Sequence, residues 1–458
     1  MYKVDNSRVN KIKKSNNINI RRKKRLERKR KQKIRRFLFF LFLIVILLVI
    51  LIYKLVTNLL FKFKFSEIPN FREFSNDILT KDVVISDTSN RELTVAEKKS
   101  DFNQVYDLIV ENFPRVEDNI SNYFQFTEEK ATFEEKINKT KNDYEFYNLL
   151  KEYLNILEDD KTTILSAYQY MESVGLLDKE YYEKNSPYYE ILNDSRVSQR
   201  YSKINKLSEE IYTGESFLEL KKLEDNIGYI SVKNLTIENK EEDHEKIVEF
   251  IKSLTSNTNL IIDLRDSTGS SDSYWVENFV KPISNSTYTA HANILFSNPK
   301  SSNYMDYLSI EENVEYFDLS DDRISLDNIS QIDKSQYENM LYSKGMTYSV
   351  SSNNEGIFNG DVYIIQNENT EGSAETFSYF ANNSDFATVV GRSSSGNGVD
   401  VRPFLYKLDH SGFVLSIDST RTLDNEYIDF NKMGNQAEYP LEEPLLENLI
   451  NKIKNYEL

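Results

Sequence analysis

The 458-residue sequence is short of several residue types, and each shortage removes a class of protein. It has no cysteine, so no disulfide can form, and any domain outside the cytoplasm must be held by its hydrophobic core. Its three histidines are scattered and form no HExxH motif, which leaves no pattern for a metal site. The thirteen glycines form no phosphate-binding loop, since Gly396-x-Gly398 is too short, and one tryptophan supplies few sugar platforms for a glycosidase. We therefore expect no metal and no cofactor.

Charge is divided sharply along the chain. Residues 1–36 hold 17 Lys and Arg against two acids, a net of +15, whereas residues 37–458 carry −31. The acidic part disfavours nucleic acid and anionic polymers as partners. The basic tail could bind nucleic acid or anionic lipid, and its position directly before an apolar segment favours anionic lipid.

That apolar segment is the single candidate for a membrane span. Phe37–Tyr53 contains 17 uninterrupted uncharged residues, and a helix continuing through about residue 58 would reach ~30 Å, the thickness of a bilayer core. The alternative, a cleaved signal peptide, is disfavoured because the segment is long and no small-residue cleavage site follows it. By the positive-inside rule, residues 1–36 stay in the cytoplasm and the acidic part lies outside the cytoplasmic membrane.

Hydrophobic periodicity divides the rest of the chain into two domains. Apolar residues at helical spacing predict helices over 101–113 and 143–157, whereas strands and helices alternate from Asn226 onward. A final amphipathic helix is predicted over 441–456, and residues 298–358 form a weakly patterned insert. The predicted organisation is a basic tail (1–36), a transmembrane helix (37–58), a stalk (59–98), a helical domain (99–222) and an α/β domain (223–458).

Ser373 stands at a predicted strand-to-helix turn, between a strand over 361–366 and a helix over 373–382. One interpretation is structural: serine is a favoured helix N-cap, and Glu375 suits the first helical turn. The other is chemical: a hydroxyl in the amide field of a helix N-terminus is well placed as a nucleophile that generates an oxyanion.

Three segments together resemble the tail-specific, or C-terminal-processing, serine peptidase family, which includes the tricorn core. The stretch 226–235 with 260–270 (LIIDLRDSTGS) is similar to the family's strand and "DLRxNPGG" loop. Gly372-Ser-Ala-Glu375 resembles its nucleophile turn, and residues 389–398 (VVGRSSSGNG) resemble its "VVGxxTxGxG" segment. The resemblance implies an α/β fold with a crotonase-like or Clp-like spiral core, preceded by a helical N-terminal domain. No segment resembles a PDZ domain.

The same resemblance assigns roles to individual residues. Ser373 occupies the nucleophile position, and the amide of Ala374 one oxyanion-hole position. The Gly269-Ser270 loop stands where the family has Gly-Gly and would supply the second amide. Trp275 follows this loop and is either a wall of the substrate groove or part of the core. Asn397 stands where processing peptidases have their basic Lys, and we place it among the substrate-binding residues.

The general base is the point of departure from the family. Lys161 stands where tricorn-like members have a His, while His244, His291 and His410 lie elsewhere. To act as a base, Lys161 would need a pKa near ~7–8, yet the carboxylates at 158–160 would raise it. We expect a membrane-anchored extracytoplasmic serine peptidase that acts on peptides through Ser373, with Lys161 as candidate base. The alternative is a non-catalytic relative that binds extended peptides or envelope proteins by strand addition.

Overall fold

The predicted membrane segment falls outside the part of the chain that can be described. In a computed structural model of the protein, the described residues are 91–178, 191–205, 217–223, 226–254, 259–297, 305, 317–319, 324–352 and 357–457. The tail over 1–36 and the transmembrane helix over 37–58 precede them, so both stay predictions. Among the described residues, no helix combines the length and apolarity needed to span a bilayer.

The first described region is mainly helical. Thr94 and Glu97 form a capping box that satisfies the first amides of the first helix. That helix therefore begins six residues before the predicted start at Asp101. Phe102, Phe126 and Tyr153 stack in the core of this region. Its helices are α1 (Val95–Asn112), α2 (Ile120–Glu128), α3 (Lys130–Ile137), α4 (Asp143–Leu154), α5 (Ala167–Asp178) and α6 (Ser195–Asn205), with a 3₁₀ turn at Asn155–Leu157.

A short strand links the helical region to the end of the chain. β1 (Thr163–Ile164) pairs antiparallel with Leu415 and Ser416 of the strand Val414–Ile417. Leu165 extends the ladder by donating its amide to the Val414 carbonyl (2.9 Å). Residues just before β1 are thereby fixed against a hairpin about 250 positions later.

A six-stranded sheet forms the centre of the second region. Its strands are β2 (Leu218–Leu223), β3 (Ile227–Val232), β5 (Asn259–Asp263), β11 (Val362–Gln366), β12 (Thr388–Gly391) and β16 (Tyr439–Pro440). The order is β16-β12-β11-β5-β3-β2, with β2 antiparallel to β3 and the other neighbours parallel. The helix α7 (Ile237–Lys252) connects β3 to β5, which confirms the predicted strand-helix-strand unit.

The C-terminal helix covers one face of this sheet. Its Leu445, Leu449 and Ile453 are buried against Ile261 and Ile365. Further helical segments are α8 (Asp272–Trp275), a π-helical turn (Val276–Val280), α9 (Lys281–Ile283), α10 (Gly372–Asn383), α11 (Phe430–Met433) and α12 (Leu445–Asn455). The predicted C-terminal helix is thus present but begins at Leu445, directly after Pro444.

A second, antiparallel sheet lies partly within the stretch predicted as a weakly patterned insert. β7 (Thr287–Phe296) pairs along its full length with β10 (Tyr342–Ser351). The sequence did not reveal β10, because its buried positions include Ser343 and Lys344 and so offer little contrast in hydrophobicity. The remaining strands are β4 (Asn234–Leu235), β6 (Thr268–Gly269), β8 (Phe317–Leu319), β9 (Ile324–Ser325), β13 (Phe404–Lys407), β14 (Val414–Ile417) and β15 (Thr420–Leu423), and 3₁₀ turns lie at Leu326–Asn328 and Lys334–Gln336.

Candidate active site

Ser373 lies in the first turn of α10, directly after the turn that leaves the buried strand β11. The N-cap position is Glu371, so Ser373 is inside the helix, and neither residue makes a side-chain capping hydrogen bond. The structural interpretation of Ser373 as the cap is therefore wrong. The side chain is largely buried, with 6 % of the residue exposed, and its hydroxyl has no hydrogen-bond partner among the described residues. The helix N-terminus is a place where an oxyanion is stabilised, but no base is hydrogen-bonded to the Ser373 hydroxyl among the described residues.

The turn before Ser373 is pressed against the loop that follows β5. Gly372 has a φ of +56°, and a methyl group there would lie 2.3 Å from the Gly269 carbonyl oxygen and 3.2 Å from the Gly269 amide nitrogen. Both the left-handed backbone and the lack of space require glycine. The amide of Glu371 donates to the Ser267 carbonyl (2.9 Å), and the Thr370 hydroxyl donates to the Leu264 carbonyl (2.8 Å). The nucleophile turn and this loop are thus fixed to each other.

This arrangement decides which amides can hold an oxyanion. β6 pairs in parallel with β4, so Thr268 donates to the Lys233 carbonyl and Ser270 to the Leu235 carbonyl (2.9 and 3.2 Å). Because successive amides of a strand point to opposite sides, the Gly269 amide faces the start of α10. The Ala374 amide lies in the first helical turn, whose N–H groups lack intrahelical acceptors. Gly269 and Ala374 are therefore the available pair. The prediction of Ser270 as a donor does not fit, because its amide is already used.

Glu375 has a role that the sequence did not suggest. Its carboxylate is fully buried and points away from the helix end into the loop 394–398. It accepts hydrogen bonds from the amides of Gly396, Asn397 and Gly398 (2.6, 2.7 and 2.6 Å) and from the hydroxyls of Ser394 and Ser395. Burial raises the pKa of Glu375, and these hydrogen bonds oppose that shift. One carboxylate thus sets the conformation of the loop in which the family carries its Lys.

A buried network of polar side chains also holds the loop 394–398. The Ser394 hydroxyl accepts a hydrogen bond from the Asn435 amide (2.7 Å), and the Asn435 side chain contacts Gln366 and Ser378. Ser378 lies on α10, and Gln366 is the last residue of β11. The loop, the helix and the sheet are therefore held as one unit around Ser373.

Lys161 reaches this loop from the helical region. Its ammonium group forms an ion pair with Asp400 and donates a hydrogen bond to the Asn397 carbonyl. The next residue, Gly398, accepts a hydrogen bond from the Thr376 hydroxyl on α10 (2.9 Å). The Lys161 side chain therefore ends at the very loop from which the family's Lys would project. From the sequence, Lys161 was predicted to stand where tricorn-like peptidases have a His. The sequence gave no indication that Asp400 is its partner.

The electrostatic surroundings keep Lys161 charged. Burial alone would lower the pKa of Lys161, but Asp400, Asp418 and Asp159 together raise it above its ordinary value. Burial also raises the pKa of Asp400; Lys161 opposes that shift, and Asp418 and Asp272 add to it. A base must be neutral to accept a proton, so in this conformation Lys161 is a poor base at neutral pH.

The other predicted residues are placed as follows. Asn397 is exposed, which is compatible with contact to a substrate. Trp275 is fully buried, packs on Phe377 and Phe380, and donates to Asp272 (3.1 Å). The prediction that Trp275 walls a substrate groove is therefore wrong for this conformation, because a substrate cannot touch the ring.

The three histidines lie in other surroundings. His244 contacts Asn278 (2.9 Å) and His291 contacts Thr347 (3.0 Å), in both cases through Nδ1. The amide of His410 donates to Asp101 (2.9 Å). Within the described residues, no histidine is hydrogen-bonded to Ser373, and no group of acidic residues and histidines is arranged to hold a metal ion.

Comparison with known proteins identifies the domain that carries this site. A family model described as "Peptidase family S41" matches residues 226–439. No match was found among curated proteins. Residues 226–439 are therefore similar to the S41 peptidases, which supports the resemblance to tail-specific, C-terminal-processing peptidases and a serine-peptidase-like function.

Solved structures similar to this chain have low sequence identity to it. A lipoprotein from Streptococcus agalactiae is 13 % identical, with 78 % of this chain and 96 % of that chain covered and a TM-score of 0.43. Mature CPAF complexed with lactacystin is 10 % identical, with coverages of 76 % and 94 % and a TM-score of 0.44. The photosystem II D1 C-terminal processing protease is 9 % identical, with coverages of 77 % and 94 % and a TM-score of 0.38.

Proposed function

We propose that this protein is a membrane-anchored serine peptidase that hydrolyses peptide bonds outside the cytoplasmic membrane, with Ser373 as its nucleophile. The observation that carries the proposal is the place of Ser373 in the first turn of α10, directly after Gly372, which packs against Gly269. An amide of the helix start and an amide of the neighbouring loop are the kind of donors that acyl transfer needs for its oxyanion. The family match over residues 226–439 supports the same reaction class.

The proposed reaction assigns one step to each of these groups. The Ser373 oxygen attacks the carbonyl carbon of an extended peptide, and its proton passes to the Lys161 amine. The Gly269 and Ala374 amides hold the negative oxygen of the tetrahedral intermediate. The intermediate collapses as Lys161 returns the proton to the leaving amine, and water then hydrolyses the acyl-enzyme in the same way.

Lys161 is the candidate base because of where its side chain ends. In the resting conformation the amine bonds Asn397 and Asp400, so it must release one of them to accept the Ser373 proton. Even an unperturbed lysine is neutral in only about one molecule in a thousand at pH 7.5. Turnover at neutral pH is therefore slow, and it rises as the pH increases.

Membrane anchoring is proposed from the sequence at the N-terminus. The +15 tail over 1–36 and the apolar run over 37–53 support a single span with the N-terminus in the cytoplasm. The basic tail would then lie against anionic lipid. A reporter fused after residue 36 or after residue 60 tests the orientation, and activity of an extracytoplasmic reporter at residue 36 would contradict it.

A second function is favoured by one specific observation, the ion pair between Lys161 and Asp400. If the amine never leaves this carboxylate, the site lacks a base, and the protein captures extended peptides without cleaving them. The fold and the oxyanion loop would then be kept for binding alone.

The deciding experiment uses the full-length chain in detergent micelles with unfolded casein and peptide libraries. We expect slow cleavage that Ser373→Ala abolishes, a loss of at least ~10³-fold. We also expect a fluorophosphonate probe to add its mass to Ser373. Glu371→Ala is the matched control, because this exposed neighbour makes no side-chain capping bond. Tight peptide capture without cleavage, and unaffected by Ser373→Ala, would establish the binding function instead.

A further inference from the structure

We propose that Asp400 is a positioning residue that holds the Lys161 amine in a charged resting state. The amine is then seldom available to act as a base. The inference rests on the proposed role of Lys161 as base. It starts from the contact geometry, in which the Lys161 ammonium is bound at its tip by the Asp400 carboxylate and the Asn397 carbonyl.

The lysine is also fixed at its backbone. The amide of Lys161 donates to Asp159 (2.9 Å), and the following β1 strand is paired with β14. With both ends held, the amine cannot move far unless a bond at the tip breaks. The side chain of Lys161 is 25 % exposed and that of Asp400 is 16 % exposed, so the pair is largely shielded from water. Ion pairs in such places are screened less than those on the open surface.

Three carboxylates face the amine, each from a different segment. Asp159 precedes β1, Asp400 follows the loop 394–398, and Asp418 follows β14. A fourth, Asp272, faces Asp400 from the start of α8. Asp159, Asp400 and Asp418 favour the protonated amine, whereas Asp272 disfavours the ionised form of Asp400.

Asp400 differs from the other two carboxylates that face Lys161 in its partners. Asp159 also accepts hydrogen bonds from the amide and hydroxyl of Thr162 (both 3.2 Å), and so orders its own turn. Asp418 accepts from the amide of Thr420 (3.2 Å), and its own amide donates to the Thr162 hydroxyl oxygen (3.1 Å). Asp400 is the carboxylate in direct contact with the amine. Replacing it therefore changes the charge on Lys161 with the least change to backbone order.

Removing this one charge should lower the pKa of Lys161 and release the base. Asparagine keeps the shape of Asp400 and can still accept a hydrogen bond, but it no longer favours the ammonium form. A lysine pKa lower by one unit gives ten times more neutral amine at any pH below that pKa. The rate, which rises about tenfold per pH unit in this range, should therefore shift to lower pH.

The test compares Asp400→Asn with the parent in the full-length chain. The Lys161 pKa is measured by NMR of ε-¹³C-lysine-labelled protein in the Ser373→Ala background, and the signal is assigned by its loss in Lys161→Arg. Cleavage of casein is followed from pH 6.5 to 10 with Ser373 intact. We expect the Lys161 pKa to fall by at least one unit and kcat/KM at pH 8 to rise at least tenfold. Asp327→Asn, in an exposed pair with Lys334 (3.3 Å), is the matched control and should change neither.

The outcomes separate the inference from the proposed function. An unchanged Lys161 pKa in Asp400→Asn overturns the inference, whatever the activity does. A lowered pKa without any gain in cleavage supports the electrostatic role of Asp400 and contradicts Lys161 as the base. A loss of activity with an unchanged pH profile also overturns the inference, because it indicates a structural role alone. Asp400→Ser serves as the second variant if the melting temperature of Asp400→Asn falls.

Discussion

The two halves of the candidate site are built from different parts of the chain. The oxyanion half, Gly269 with Ser373 and Ala374, consists mainly of backbone groups fixed by the sheet and by α10. The base half, Lys161 with Asp400, consists of two charged side chains from distant segments. Backbone donors tolerate changes in side chains, whereas a proton acceptor depends on one particular side chain and its charge. The first half can therefore keep its geometry when side chains change, whereas the second depends on Lys161 and Asp400 themselves.

The largest effect is expected where the nucleophile turn at Gly372 touches the oxyanion loop at Gly269. Gly372→Ala would place a methyl group 2.3 Å from the Gly269 carbonyl oxygen at a φ of +56°. The nucleophile turn must then move away from the oxyanion loop, and a misplacement of about 1 Å costs on the order of 100-fold in rate. The measurement is kcat/KM for casein cleavage together with the melting temperature. Full activity in Gly372→Ala would show that the turn and the loop need not be in contact.

A smaller effect is expected at Glu375, which lies on α10 in the oxyanion half and holds the loop that Lys161 of the base half contacts. Glu375→Gln removes the charge that three loop amides and two hydroxyls share, and leaves one of the buried amides facing an NH₂ group. Unsatisfied buried groups cost about 1–3 kcal/mol, and we expect the free energy of unfolding to fall by this amount.

We expect about a tenfold loss of cleavage in the same variant, because the loop 394–398 would no longer be held in its place against α10 beside Ser373. Glu368→Gln, on an exposed side chain near Arg392, is the control for removal of a nearby carboxylate. The role of Glu375 would be refuted by a variant with parental stability and parental activity.

The smallest effect is expected at Ser270, the residue that departs from the family's Gly-Gly pair. Its amide donates to the Leu235 carbonyl (3.2 Å), and its side chain has no place in the proposed chemistry. Ser270→Ala should therefore change kcat/KM by less than about twofold, as expected for donors supplied by backbone. A loss of tenfold or more with unchanged stability would instead place the Ser270 hydroxyl in the site.

Some elements were predictable because their signals are local. The strand β11 and the helix α10 lie within one residue of their predicted ends, since an apolar run, a polar turn and a helical pattern follow one another directly. β10 was missed because its polar side chains obscure the alternation of polar and apolar residues typical of a strand. Its partner β7 is also distant in sequence, so the pairing leaves no local signal. Trp275 could not be assigned to groove or core from its position in sequence, because only packing against Phe377 and Phe380 decides its burial.

The sequence by itself determined the position of Ser373 in a strand-to-helix turn and the S41 character of residues 226–439, because both depend on short motifs read along the chain. Only the tertiary structure decided the partners of that serine. The pairing of β1 with β14 carries Lys161 to Asp400, 239 residues away, and the turn of Glu375 into the loop 394–398 follows from packing around α10. The state of the base is set by the carboxylates that folding gathers around one amine, and their distances cannot be deduced from the order of residues in the chain.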